Sequence, residues 1–182
     1  MRARDIPNLL CVLRIVLTVP IAWAIIDGRY PLALVLFFVA GVTDGLDGFL
    51  AKRFSWQSRL GGLLDPAADK LLLVTAFVTL WWAGYVPSWL LAAVVARDLL
   101  IVTGAGLYLR RVGSFEAEPS IISKVNSFLQ LLYVLFILSW LVFGVPSLDI
   151  VAVMGWMVLM TTVGSGFDYW RNWNGRVRGA RA

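Results

Sequence analysis

Six times along this chain an apolar run of about twenty residues, the length that spans a bilayer core, ends at a short polar connection. No other feature restricts the fold so severely. Backbone groups in hydrocarbon must be satisfied within their own segment, so continuous runs of this length are helices; a barrel needs alternation instead. The runs predict helices at about Ile6–Ile26, Pro31–Lys52, Leu60–Ala83, Pro87–Leu109, Ile121–Phe143 and Leu148–Trp170, with Pro20 kinking the first. Composition agrees: of 182 residues, 60% are hydrophobic and 15% charged, against about a half and a quarter in soluble domains. The expected architecture is an all-α integral membrane protein with six transmembrane helices, residues 1–182 forming a single domain. The N-terminal MRARDIPNLL is basic and leads into the first run as a signal peptide does. No small-residue cleavage site follows, so it reads as a retained helix.

Orientation follows from the basic residues in the connections. Arg2, Arg4, Lys52, Arg53, Arg59, Arg110, Arg111, Lys124, Arg171, Arg176, Arg178 and Arg181 fall on one side, and Arg29 alone on the other. The first side is then the cytoplasm, and both termini lie there. The expected setting is a multi-pass protein of the inner (cytoplasmic) membrane. Net charge is +5, but its placement in membrane connections argues for lipid surfaces and against nucleic acid as the partner. Trp81, Trp82 and Trp89 near the outer side, with Trp170 and Trp173 near the inner, suit an interfacial aromatic belt.

The chain contains no histidine and one cysteine, Cys11, which lies in an apolar run and reads as a packed thiol. Histidine-based metal sites, histidine general bases and thiolate clusters are all excluded. Any chemistry must run on carboxylates, lysine and arginine. The stretch TDGLDGFLAKRFSWQSRLGGLLDPAADK supplies the carboxylates: Asp44 and Asp47 at the end of the second run, Asp65 and Asp69 at the start of the third. Spacings of i, i+3 and i, i+4 put each pair on one helix face. Four acids directed into one volume repel strongly unless cations lie between them, and Lys70 alone does not neutralise them. All-oxygen ligation selects hard ions, Mg²⁺ or Mn²⁺. Two such ions about 4 Å apart can grip a pyrophosphate while a phosphoryl group moves. Gly48, Gly61 and Gly62 allow close backbone approach of a substrate, and Lys52, Arg53 and Arg59 place positive charge beside phosphates.

Other readings stand beside this one. Gly41, Gly45, Gly48, Gly61 and Gly62 also suit close helix packing, and the basic residues also suit topology. A cation transporter is a further possibility; it predicts polar residues continuing to the far side, whereas the outer halves of the second and third runs are apolar. A catalytically silent scaffold would tolerate loss of an aspartate, and none is missing.

The fixed-gap pattern Asp44-x-x-Asp47-Gly48-x-x-Ala51, then Gly61-x-x-x-Asp65-x-x-x-Asp69, resembles the signature of the CDP-alcohol phosphatidyltransferase family. Lys52 stands where that family usually has Arg, with Arg53 following; lysine meets a phosphate as a point charge and not bidentately. The resemblance implies a six-helix membrane enzyme, usually a homodimer, that takes CDP-diacylglycerol as donor. It implies that Asp44, Asp47, Asp65 and Asp69 hold the metals, and that Asp69 is also the general base toward an acceptor alcohol. CMP leaves as a stabilised anion, so no general acid is required. Gly48, Ala51, Lys52, Arg53 and Gly61 would then face the CDP-lipid. Asn8 and Arg14 resemble the family's polar positions near the nucleotide, although capping and snorkelling also account for them.

For the acceptor, VARDLLIVTGAGLYLRR, ISKVNSFLQ and TTVGSGFDYW resemble the cardiolipin synthases of the family, which use phosphatidylglycerol. Phosphatidylglycerophosphate synthases, which use glycerol 3-phosphate, share DGFLA and LDPAADK. Arg97 and Lys124 suit an acceptor phosphate in either branch. Arg97 also has Asp98 beside it as a pairing partner, and Lys124 also suits topology.

Overall fold

The computed structural model describes residues 6–54, 61–112 and 121–179, with side chains described over 9–46, 67–103 and 121–169. These residues form six helices: α1 (Ile6–Ile26), α2 (Tyr30–Phe54), α3 (Gly61–Trp82), α4 (Ser88–Val112), α5 (Ile121–Phe143) and α6 (Leu148–Gly179). The first and fifth coincide with the apolar runs. The sixth continues nine residues beyond the expected Trp170, and its 32 residues make a rod of about 48 Å. Hydropathy reports where lipid contact stops, whereas the helix ladder continues as long as no residue breaks it.

Among the described residues three stretches are long and apolar enough to cross a membrane, Leu9–Ile26, Ile121–Phe143 and Leu148–Tyr169, and Tyr30–Leu46 is a shorter apolar helix. The distribution of side chains is that of a membrane protein. Val12, Val16, Val19, Trp23 and Ile26 form an outward apolar stripe on α1, and Val153, Trp156, Met160, Val163 and Phe167 form another on α6. Arg14, Thr18, Arg97, Asn126, Gln130, Thr162 and Ser165 are buried. Polar groups turned inward beneath apolar surfaces are stable where the surrounding solvent is hydrocarbon.

The helices belong to two compact units. Residues Met1–Val86 with Val134–Ser147 make the first, and Pro87–Tyr133 with Leu148–Ala182 the second. In the first unit α1 packs along both α2 and α3. Its inward stripe is Cys11, Arg14, Thr18, Ile21 and Ile25; α2 contributes Ala33, Phe37 and Ala40, and α3 Ala68, Leu72, Ala76 and Leu80. The alanines let the backbones approach closely, which is how helices associate without a hydrophobic drive. The buried thiol of Cys11 fits the packing role.

The connections after α1 and α3 close in the same way. Gly28 and Gly84 have φ of 73° and 85°, a left-handed cap that L side chains adopt only at a cost. At each, the next residue's amide reaches back to the last turn, Arg29 to the Ala24 carbonyl at 2.8 Å and Tyr85 to the Leu80 carbonyl at 2.9 Å. Tyr30 and Tyr85 meet hydroxyl to hydroxyl at 3.1 Å, and the Tyr85 ring meets Trp140 edge-on. The two caps are thereby fastened to each other within the first unit.

In the second unit α4 and α6 run parallel in constant register. Trp89 stacks on Trp156 with centroids 5.1 Å apart, Arg97 bonds Ser165, and the Tyr169 hydroxyl donates to the Ile101 carbonyl. The first half of α5 runs antiparallel to α6, with Asn126 level with Thr162 and Tyr133 level with Gly155. A Cβ at Gly155 would stand 3.3 Å from the Tyr133 ring. Only glycine leaves that ring its full space.

Candidate metal and phosphoryl-transfer site

Helical periodicity places the acids. Along α2 the buried stripe Ala33, Phe37, Ala40 continues at Asp44, four residues on. Along α3, Asp69 precedes buried Leu72 and Leu73 by three and four residues. Each acid therefore ends the face that its helix turns toward the core of the first unit, at the end nearest the connection between α2 and α3. Asp47 and Asp65 lie on the helical backbones of α2 and α3 one turn from Asp44 and Asp69. Their side chains, with those of Asn8, Gly48, Ala51, Lys52, Arg53 and Gly61, lie outside the described residues.

Arg14 and Asp44 form an ion pair between α1 and α2; Arg14 is completely buried and the Asp44 side chain is 35% exposed. The Thr18 hydroxyl donates to the Arg14 carbonyl at 3.0 Å, within the same turn of α1. An arginine in an apolar helix would be costly alone, and the carboxylate supplies the opposite charge it needs. The family resemblance implies a place near the nucleotide for Arg14, with snorkelling as the other account. In the structure it pairs with Asp44. Asp69 and Lys70 are both half-buried.

The donor set suits hard divalent cations. The two described acids present carboxylate oxygen only, each on an inward helical stripe, and Asp47 and Asp65 add two more acids one helical turn along the same helices. Among the described residues no three ligating side chains stand together; two of the four aspartates are in that set. Close packing does not explain Gly45, which lies between Asp44 and Asp47, since a Cβ there would meet nothing within 4 Å. Among the described residues, the buried positions in the halves of α2 and α3 away from the aspartates are apolar apart from Thr79, whose hydroxyl turns to its own helix's Thr75 carbonyl at 2.8 Å. No row of polar groups continues along these described faces to the far side, as a cation pathway would require.

In the second unit Arg97 is 4% exposed, whereas Lys124 is exposed. The Arg97 guanidinium is engaged on three sides: Nη1 donates to Asp98 at 2.6 Å, Nη2 to Ser123 and to Ser165 at 2.9 Å, and Nε to Ser165. The neighbouring-acid pairing is thus present. A network from α4, α5 and α6 holds the guanidinium in place. Lys124 follows the Ser123 of that network in sequence and is exposed. Sequence reading did not single out Ser123, Asn126, Gln130, Thr161, Thr162 or Ser165. The available signal was the spacing of Ser123, Asn126 and Gln130, polar residues on one face of an otherwise apolar span.

A family model described as CDP-alcohol phosphatidyltransferase matches residues 4–164. The chain is 36% identical over 143 residues to the probable cardiolipin synthase (CMP-forming) of Drosophila melanogaster, covering 69% of this chain and 44% of the fly protein. It is 32% identical over 182 residues to the cardiolipin synthase (CMP-forming) of Homo sapiens, covering 91% of this chain and 60% of the human protein. It is 29% identical over 174 residues to the CDP-diacylglycerol--glycerol-3-phosphate 3-phosphatidyltransferase of Bacillus subtilis, covering 91% and 89%. The chain thus spans between 44% and 60% of the length of its fly and human relatives.

Proposed function

Because the chain belongs to the CDP-alcohol phosphatidyltransferase family, we propose that it transfers a phosphatidyl group from CDP-diacylglycerol to phosphatidylglycerol, giving cardiolipin and CMP. The observation that carries this is the fixed spacing of Asp44, Asp47, Asp65 and Asp69 on α2 and α3 inside the matched region. The fly and human relatives named cardiolipin synthase favour phosphatidylglycerol as acceptor. The Bacillus relative, matched over nearly its whole length, favours the second reading, glycerol 3-phosphate as acceptor.

In the proposed reaction the acceptor hydroxyl oxygen attacks the β-phosphorus of the CDP-lipid. The new O–P bond forms as the bond to CMP breaks, CMP carries off the electron pair as a phosphate anion, and the Asp69 carboxylate takes the hydroxyl proton. Two Mg²⁺ or Mn²⁺ ions held by the four aspartates supply charge neutralisation of the pyrophosphate when bound. Gly48, Ala51, Lys52, Arg53, Gly61 and Asn8 are assigned in this reading to binding the CDP-lipid. Arg14 serves through Asp44, whose carboxylate it steadies, and is a positioning residue. Arg97 and Lys124 attract the acceptor phosphate, with Arg97 held ready by Ser123 and Ser165. Positioning and charge neutralisation account for the rate, as befits a chain without histidine.

The protein crosses the membrane with six helices as a single domain, both termini in the cytoplasm. It works as a homodimer in the inner membrane, with the aspartates facing the cytoplasm. Purified protein offered CDP-diacylglycerol with phosphatidylglycerol and with glycerol 3-phosphate in separate reactions tests the proposal. Cardiolipin from the first is the expected product. Phosphatidylglycerophosphate from the second alone moves the assignment to the other branch, and absence of CMP release from both rejects transferase activity.

A further inference from the structure

The second unit contains two buried amides whose hydrogen-bonding capacity is not fully used among the described residues. Asn126 and Gln130 are 0% and 2% exposed. Among the described residues Asn126 Nδ2 and Gln130 Nε2 meet no hydrogen-bond partner. Both lie on α5, one turn apart, and the register with α4 and α6 fixes their levels. Ser123 shares a level with Arg97 and Ser165, joined by hydrogen bonds. Asn126 is level with Thr162, and Gln130 comes level with Val158, an apolar residue. The result is a polar column that starts at the Arg97 guanidinium and descends about 10 Å along α5.

Asn126 is not loosely placed. Its Oδ1 accepts from Thr161 at 2.9 Å and Thr162 at 2.8 Å, both on α6. Thr161 also lies 3.0 Å from the Met157 carbonyl, and its single proton can serve only one acceptor. If that proton goes to Met157, the amide reverses, its nitrogen donating to Thr161 and its oxygen becoming the unused atom. In either orientation α6 fixes the amide plane and one polar atom is left over. A leucine at either position would pack without that penalty, so an orphaned polar atom inside a membrane span calls for a partner.

We propose that Asn126 and Gln130 are specificity-determining residues that bind the hydroxyls of the acceptor's glycerol moiety, beside a phosphate drawn to Arg97. This rests on the phosphatidyl-transfer reading above and deepens it: the acceptor class is a glycerol phosphate. A hydroxyl both donates and accepts, so it satisfies an amide in either orientation. Amides one turn apart stand about 5–6 Å from each other at Cβ, a gap that a three-carbon polyol can bridge. Phosphatidylglycerol and free glycerol 3-phosphate present the same chemistry, and the acceptor offered distinguishes them.

The test is steady-state kinetics of CMP release by the purified full chain, wild type and Gln130→Met. Acceptors are phosphatidylglycerol in nanodiscs and glycerol 3-phosphate in solution. Each is paired with its analogue lacking the middle hydroxyl, phosphatidyl-1,3-propanediol or 3-hydroxypropyl phosphate. Gln130→Met is expected to raise the KM of the hydroxylated acceptor about tenfold while the KM of CDP-diacylglycerol moves less than about twofold. The wild type is expected to prefer the hydroxylated acceptor over its analogue, and the variant to lose most of that preference. If Gln130→Met does not fold, Gln130→Asn, which withdraws the amide by one methylene, is expected to raise the acceptor KM in the same way. An unchanged acceptor KM with a raised unfolding temperature overturns the proposal, because that pattern marks an interior amide with no ligand. Absence of CMP release from wild type with every acceptor rejects the transfer reading, and this one with it.

Discussion

Replacing Asp44 by Asn removes the carboxylate beside a guanidinium that has no exposed surface. Losing one partner of a buried pair costs about 3–5 kcal/mol, chiefly because the other charge stays buried. Asp44 is 35% exposed, so solvent already screens part of the attraction, and the expected loss falls to about 2 kcal/mol. Arg14→Met exchanges the cation for a flexible apolar chain that can fill the vacated space. The double substitution should then be more stable than the two single losses predict, by about 1–2 kcal/mol of coupling. Denaturant titration in detergent micelles, followed by tryptophan fluorescence with chelator present, measures the four proteins without divalent ions competing for Asp44. A coupling energy within about 0.3 kcal/mol of zero, the ordinary scatter for independent sites, would refute the claim that the pair compensates a buried charge.

Three further outcomes are expected. Asp69→Asn keeps the shape of the side chain and loses the base, so CMP release should fall at least about a hundredfold while membrane insertion is unchanged; retained turnover removes the base assignment. Excess EDTA should abolish CMP release and Mn²⁺ or Mg²⁺ restore it, and millimolar Mn²⁺ should raise the unfolding temperature of wild type more than that of Asp69→Asn. Undiminished turnover in chelator contradicts the metal reading. Two glycines should respond with opposite signs in unfolding experiments. Gly45→Ala has open space and a helical backbone, so it should gain up to about 1 kcal/mol. Gly155→Ala presses on the Tyr133 ring and should lose about 1 kcal/mol; equal effects at both would show that backbone propensity alone is being read.

The register of the four acids along α2 and α3 was legible because helical register is a local property. Asp44 and Asp47, or Asp65 and Asp69, share a face in any helix that contains them, whatever packs beside it. The fold's helices were legible for a related reason: a bilayer span has a required length, and α1 and α5 start and stop where their apolar runs do. The end of α6 was not, since a helix can continue past the lipid through polar residues that hydropathy scores as a stop.

The sequence by itself determined the all-helical class, the helical register of the acids and, through the absence of histidine, the exclusion of histidine-based chemistry. Partner choice was decided only in three dimensions. Arg14 could have faced a nucleotide, a headgroup or an acid, and the packing of α1 on α2 set it against Asp44. Arg97 acquired Ser123 and Ser165, far from it in sequence, because α4, α5 and α6 meet at one level. The same meeting of helices left Asn126 and Gln130 buried, each with a polar atom that has no partner among the described residues. The physical reason is common to all three. Which face of a helix is polar follows from residues three and four apart, whereas what that face touches depends on which helices become neighbours and in what register, and no single helix carries that information.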